Sequence, residues 1–275
     1  MKAAKKTVRE TLASLSTALV PVAKEEAAQQ ARLLVCHALR VPESGLLALY
    51  ASPMPETAKI ALQAYAARRQ SGEPLQYILG QWEFMGLPFY VENGVLIPRQ
   101  DTEALAEHAL KLIRERGYKT ALDLCCGTGC LGISLAKLSG VSATLADISP
   151  LCIMLAEKNA ARNGIAAKIA QGDLFSAVSE RFDVIVTNPP YINTDALDTL
   201  QKEVRYEPRL ALDGGKDGLM FYRRIAKEYK AYLAPGGALL MEVGAEQASD
   251  VINLFESAYT VKDLCGIDRV VVMNG

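Results

Sequence analysis

The chain has 275 residues, half of them hydrophobic, with 30 Lys and Arg against 31 Asp and Glu. That length allows one large domain or two unequal ones with a sizeable core. The net charge of −1 excludes the overall basic excess of a protein that grips many nucleic-acid phosphates, leaving room for no more than a local basic face. No apolar run approaches the roughly 20 residues of a membrane span. The first twenty residues carry Arg9 and Glu10 where a secretory signal would be apolar. The cytoplasm is the expected compartment, with a mitochondrial presequence as the alternative.

Residues 1–75 are predicted to form a small helical bundle. Apolar residues recur at three- and four-residue spacing through Thr7–Val20, Glu25–Leu39 and Thr57–Gln70. Pro21, the stretch from Pro42 to Gly45, and Pro53 with Pro55 read as breakers between them. Residues 76–99 change character, with Tyr77, Trp82, Phe84, Phe89 and Tyr90 among Gly80, Gly86, Pro88 and Gly94. Alternation through Pro88–Val91 and Val95–Ile97 predicts a hairpin, taken as a connector between domains, with core packing the alternative for any one aromatic.

From residue 100 to 275, helices and strands alternate. Strands are predicted at Thr120–Leu124, Ala143–Asp147, Ala167–Gln171, Phe182–Thr187 and Ala238–Val243. Helices are predicted at Thr102–Arg116, Cys130–Leu138, Pro150–Asn163, Gly218–Tyr232 and Ala248–Ser257. This is an α/β pattern, a doubly wound and mostly parallel sheet. Two last strands, Tyr259–Leu264 and Arg269–Met273, are joined by four residues. That is too short for a parallel crossover, so they are antiparallel neighbours.

Three strand ends carry chemistry. Asp123-Leu124-Cys125-Cys126-Gly127-Thr128-Gly129 follows one strand and opens a helix, and Gly127, Gly129 and Gly132 also fit a dinucleotide fingerprint. Asp147, twenty residues after Gly127, ends the next strand and suits the two hydroxyls of a ribose. NAD and S-adenosylmethionine (SAM) share that ribose, so this turn alone does not choose between them, and a βα turn without ligand is a third option. Asp173-Leu174-Phe175 follows the third strand. Asp173 suits an adenine amino group or a helix N-cap, and Leu174 or Phe175 suits the ring face.

Asn188-Pro189-Pro190-Tyr191 decides for SAM. Two prolines at a strand end stiffen the backbone and remove two amide donors. The Asn188 side-chain oxygen and the Pro189 carbonyl can accept both hydrogens of a planar NH2 group, and Tyr191 can lie on its flat face. Acceptors aimed at those hydrogens favour pyramidal nitrogen and stabilise the positive charge that develops on it. Holding nitrogen, methyl and sulfur in line supplies much of the rest. His37 and His108 both fall on predicted helices and read as packing or surface residues, so no proton relay for hydride transfer is in view. Cys125, Cys126 and Cys130 cluster without paired CxxC spacing or a nearby His. Free thiols are expected, and no metal site.

Longer segments resemble the PrmC/HemK family of release factor glutamine methyltransferases over nearly the whole chain. They are Gly72–Gly80, Glu83-Phe84, Leu96–Arg99, Asp101–Glu103, Arg205–Pro208, Ala211–Gly215 and Asp217-Gly218. The resemblance implies an N-terminal helical domain that grips the protein substrate, a hairpin linker and a Rossmann-like SAM domain whose last strand is antiparallel. It implies N5-methylation of the glutamine in the Gly-Gly-Gln motif of release factors. By position it implies that Cys125–Gly129, Asp147, Leu174 and Asn188 contact SAM and that Asn188–Tyr191 hold the glutamine. A monomer without direct nucleic-acid or membrane binding is expected. Three residues depart from the pattern: Cys125 where Gly is frequent, Gln100 in place of a Pro, and Leu174 where some members carry an aromatic. The alternatives are methylation of a ribosomal-protein glutamine or of adenine N6, and a non-catalytic SAM- or NAD-binding module.

Overall fold

Thr7 starts the first helix. Its hydroxyl accepts from the Glu10 N–H (3.2 Å) while the Glu10 carboxylate accepts from the Thr7 N–H (2.8 Å), closing a capping box. The computed structural model describes residues 6–275, which fall into two compact units. The first holds the described residues through Gly80 together with Lys202–Tyr206. The second holds Gln81–Gln201 and Glu207–Gly275.

In the first unit, α1 (Val8–Ala23) runs through Pro21 instead of ending before it. Proline lacks one helix donor, and here it falls in the last turn, where burial of Leu19 and Ala23 with α2 (Ala27–Leu39) offsets the loss. The expected break at Pro42–Gly45 contains a single helical turn, α3 (Glu43–Leu46), with Pro42 as its N-cap. Helices α4 (Glu56–Gln70) and α5 (Leu75–Leu79) complete the bundle around Val8, Leu19, Leu34, Val35, Leu46 and Leu62. Arg69 is fully buried. Its Nε donates to Gln30 Oε1 (2.8 Å) and its Nη2 to Glu203, so an ion pair fastens the Lys202–Tyr206 stretch inside this unit.

The second unit opens with a hairpin of β1 (Gln81–Phe84) and β2 (Leu87–Tyr90). The hairpin therefore lies one strand earlier than the alternation in residues 88–97 predicts. Met85 and Gly86, both at positive φ (52° and 73°), form the two-residue turn whose twist suits antiparallel strands. Phe84 and Phe89 are buried edge to face, with centroids 6.4 Å apart, in the core shared with α6 (Asp101–Arg116) and α7 (Cys130–Ser139). Asn159 of α8 (Pro150–Asn163) fastens β2 as a strand partner would. Its Oδ1 accepts from the Tyr90 N–H (2.7 Å), and its Nδ2 donates to the Tyr90 (3.1 Å) and Thr128 (2.9 Å) carbonyls.

The main sheet comprises β3 (Thr120–Leu124), β4 (Ser142–Asp147), β5 (Lys168–Gln171), β6 (Phe182–Thr187), β7 (Leu233–Glu242), β8 (Ala258–Lys262) and β9 (Asp268–Asn274) in the order β5-β4-β3-β6-β7-β9-β8. Strands β3 to β7 are parallel, and β9 runs antiparallel to both β7 and β8. Helix α9 (Met220–Tyr232) precedes β7, and α10 (Ala248–Ile252) is shorter than its apolar pattern predicts. Strand order reverses between β3 and β6, which opens a crevice at their carboxyl ends. Among the described residues, no helix is long and apolar enough to cross a membrane.

Candidate active site

Register builds the site. Leu124 pairs with Ala146 and with Thr187, and Thr187 pairs with Met241. The next residues, Cys125, Asp147, Asn188 and Glu242, therefore stand side by side at the carboxyl edge of the sheet, Asp147 and Glu242 as the last residues of β4 and β7. A cavity of about 200 Å³ opens there. Cys125–Thr128, Asp147, Asp173, Leu174, Asn188 and Pro190 line it, together with Thr102, Leu96–Arg99 and Pro208.

The glycine turn divides its work. Asp123 lies beneath it, fully buried and outside the cavity wall. One carboxyl oxygen accepts from the Gly132 N–H (2.8 Å) and the other has no partner, and burial raises the group to about 7. A Cβ on Gly132 would meet Leu145 at 2.3 Å, so this glycine serves packing. Gly129 also lies outside the wall, and a Cβ there would meet Ile133 at 2.9 Å, Leu145 at 3.1 Å and Ala156 at 3.3 Å. Cys125 takes φ +61°, the left-handed region that disfavours a Cβ by roughly 1–2 kcal/mol. Relief of that strain exceeds the ~0.5–1 kcal/mol entropy penalty of a glycine. We expect Cys125→Gly to raise the melting temperature by about 2 °C in calorimetry, and a fall would show that contacts of the thiol dominate.

The four thiols of the wall, Cys125, Cys126, Cys130 and Cys152, are held protonated by burial, with Cys130 and Cys152 pushed up to about 12. All six cysteines are free, and Cys265 is exposed. Asp147 accepts from the Gly127 N–H (2.9 Å) through one oxygen and from the Ser149 N–H (2.9 Å) through the other, which leaves each oxygen a further lone pair. Burial raises its carboxyl above the ordinary value, and those two amides oppose the rise. Asp173 makes no helix-capping bond and pairs with Arg224 (2.8 Å). Leu174 reaches the wall from a backbone at φ +50°. Phe175 turns away and stacks on Tyr232, 4.6 Å between centroids.

Asn188 Nδ2 donates to Thr102 Oγ1 (3.3 Å). Its Oδ1 accepts no hydrogen bond among the described residues. Pro190 shares the wall, whereas Pro189 and Tyr191 stand outside it. The Tyr191 phenol donates to Glu242 Oε1 (3.4 Å), and burial followed by that carboxylate raises it well above its ordinary value. The Tyr191 backbone is clamped from behind. Its carbonyl accepts from Gln247 Nε2 (2.9 Å), and a Cβ on Gly214 would meet its Cα at 2.7 Å.

Sequence reasoning missed the Thr102 and Glu242 contacts and the Arg99–Glu207 ion pair. Glu207 is 1% exposed and accepts from the Ile97 N–H (2.9 Å) as well as from Arg99, which joins two stretches beside the cavity. A carboxylate at the end of the apolar run Leu239-Leu240-Met241 was the available signal for Glu242.

The chain is 42% identical over 273 residues to the release factor glutamine methyltransferase of Geobacter sulfurreducens, covering 96% of this chain and 95% of that one. It belongs to the release factor glutamine methyltransferase family. Within this methyltransferase, residues 10–80 match the PrmC N-terminal domain and residues 100–213 the methyltransferase small domain. The family resemblance carried by the connector motifs thus holds over nearly the full length. Among solved structures, the fold is similar to a methyltransferase from Pyrococcus furiosus (TM-score 0.51, 18% identity, 78% of this chain and 96% of that one). It is also similar to the T. thermophilus 16S rRNA N2 G1207 methyltransferase solved with AdoMet and guanosine (TM-score 0.52, 19% identity, 70% and 49%). At these identities the likeness concerns the fold. The methyltransferase is SAM-dependent, as its family is.

Proposed function

We propose that this methyltransferase transfers a methyl group from SAM to the side-chain nitrogen of the glutamine in the Gly-Gly-Gln motif of peptide chain release factors. The observation that carries the proposal is the Asn188 carboxamide at the cavity wall, with its NH2 taken up by Thr102 and its oxygen left as an acceptor. The choice of protein substrate is supported by the name of the Geobacter sulfurreducens relative.

The chemistry of the wall suits SAM. Asp147 offers two carboxylate lone pairs to a ribose diol, the Cys125–Thr128 turn brings backbone close to the ligand, and Leu174 offers an apolar face to the base. Asp173 stands at the same wall and suits the adenine amino group. When bound, SAM supplies a methyl group already activated by a positively charged sulfur. Asn188 Oδ1 accepts one hydrogen of the glutamine NH2, and the other is assigned to the carbonyl of the adjoining Pro189, which stands just outside the wall of the cavity. That fixes the nitrogen and counters the charge that grows on it during transfer. Pro190 keeps this backbone rigid. A strong base is dispensable because the nitrogen becomes acidic only after it has gained the methyl group, and neither His37 nor His108 lines the cavity. The helical unit grips the body of the release factor.

Labelled SAM with a release factor is expected to label that factor, and a Gln→Ala substitution in its Gly-Gly-Gln motif is expected to abolish the label. Label persisting in that variant, or appearing on a ribosomal protein or RNA instead, overturns the assignment.

A further inference from the structure

Among the described residues, the charged side chains that line the cavity are Arg99, Asp147, Asp173 and Arg224. Three of them are accounted for. Asp147 holds two backbone amides and has the ribose assigned to it. Asp173 and Arg224 pair with each other (2.8 Å) next to Leu174, at the end assigned to adenine. Arg99 is left over. Its Nη2 donates to Glu207, which stands outside the wall, and its Nε and Nη1 donate no hydrogen bond among the described residues. A guanidinium has five hydrogens to donate. One carboxylate oxygen on Nη2 therefore leaves a two-nitrogen edge of the fork open.

Arg99 stands at the reacting end of the cavity. Its carbonyl accepts from the Thr102 N–H (3.2 Å), and the Thr102 hydroxyl accepts from Asn188 Nδ2 (3.3 Å). In SAM the amino-acid end lies beyond the sulfur, away from the adenine, and it carries a carboxylate. A carboxylate that leaves water needs donors, and an open guanidinium edge matches its two oxygens. Of the two cations in the wall, Arg224 is at the adenine end, which leaves Arg99.

We propose that Arg99 binds the carboxylate at the methionine end of SAM through the guanidinium edge that Glu207 leaves open. The Glu207 pairing makes this compatible with the rest of the ligand. SAM also brings a sulfonium and an ammonium, and a bare arginine would repel both. Paired with Glu207, Arg99 presents directed donors and little net charge.

The inference rests on the cavity being the SAM site, as in the proposed function. Its test is binding calorimetry with two ligands. One is S-adenosylhomocysteine, and the other is its decarboxylated counterpart, which keeps the adenine, ribose, thioether and amine. The wild type is expected to bind the first at least about tenfold tighter. Arg99→Ala is expected to weaken both ligands, because the wall loses its ion pair, and also to cut the preference to about twofold or less. An arginine that only braces the wall would lower both affinities by one factor and leave the preference intact. Glu207→Gln is the control for that bracing. It is expected to weaken both ligands alike and to keep or widen the preference, because the open edge survives and its competing anion is gone.

A wild type without preference, an Arg99→Ala variant that retains it, or a Glu207→Gln variant that loses it overturns the proposal. Should Arg99→Ala not fold, Arg99→Lys decides. Lysine keeps a cation for Glu207 but has no fork, so it is expected to lose most of the preference, and full preference in that variant counts against Arg99. Asp147→Ala tests the underlying assignment separately. If it binds S-adenosylhomocysteine as tightly as the wild type does, the cavity is not the SAM site and the inference falls with that reading.

Discussion

Asn188→Ala lowers kcat by about 10²–10³-fold while the fold survives. The size follows from what is removed, an oriented acceptor at the point where positive charge grows on the substrate nitrogen. The fold survives because the Asn188 side chain makes one hydrogen bond, to Thr102 at 3.3 Å, and is only half-buried. Single-turnover methyl transfer with calorimetry separates the two effects. SAM affinity is expected to change far less than turnover, and a near-wild-type rate would remove Asn188 from the mechanism.

Arg99→Ala destabilises the second unit by about 2–3 kcal/mol at pH 8, a buried-pair loss reduced for the 37% exposure of the arginine. The partner it abandons, Glu207, is 1% exposed. Burial raises the Glu207 carboxyl above its ordinary value, and Arg99 is the main influence that opposes the rise. Arg99 acts on the ionised form. Without it the carboxyl titrates higher still, so the penalty is full above that titration and shrinks as acid protonates the group. Urea unfolding at pH 8 and pH 5 measures this, and a difference independent of pH would deny the pair its role. Ile97, Pro98 and Pro208 line the same cavity, so weaker SAM binding accompanies the loss.

What could be foreseen of this molecule was local. Helix α8 has the bounds its signals announce, with Ser149 as N-cap, Pro150 in the first turn and Gly164 as C-cap. The strand-end residues were legible because each follows an apolar run and a turn. Pro21 was misread because neighbouring helix packing, invisible along the chain, outweighs one missing bond. The hairpin was displaced because Met85, an uncommon choice for positive φ, concealed the turn beside Gly86. The orientation of Asn188 depends on Thr102, 86 positions away, and the Ile97 amide on Glu207, 110 positions away. No spacing rule reaches that far. Tyr191, expected flat against the substrate, turns its phenol to Glu242, and that placement too depends on a distant strand.

The state of the thiols has a practical side. Four of them sit at the wall of the cavity, where burial suppresses the thiolate that alkylating reagents attack, and Cys36 is buried among helices with its thiol likewise raised. Cys265 projects from the β8–β9 turn. A maleimide dye or spin label placed under mild conditions therefore attaches at one defined point beyond the cavity wall. The native chain comes with its own attachment site for distance spectroscopy, and no cysteine need be removed first.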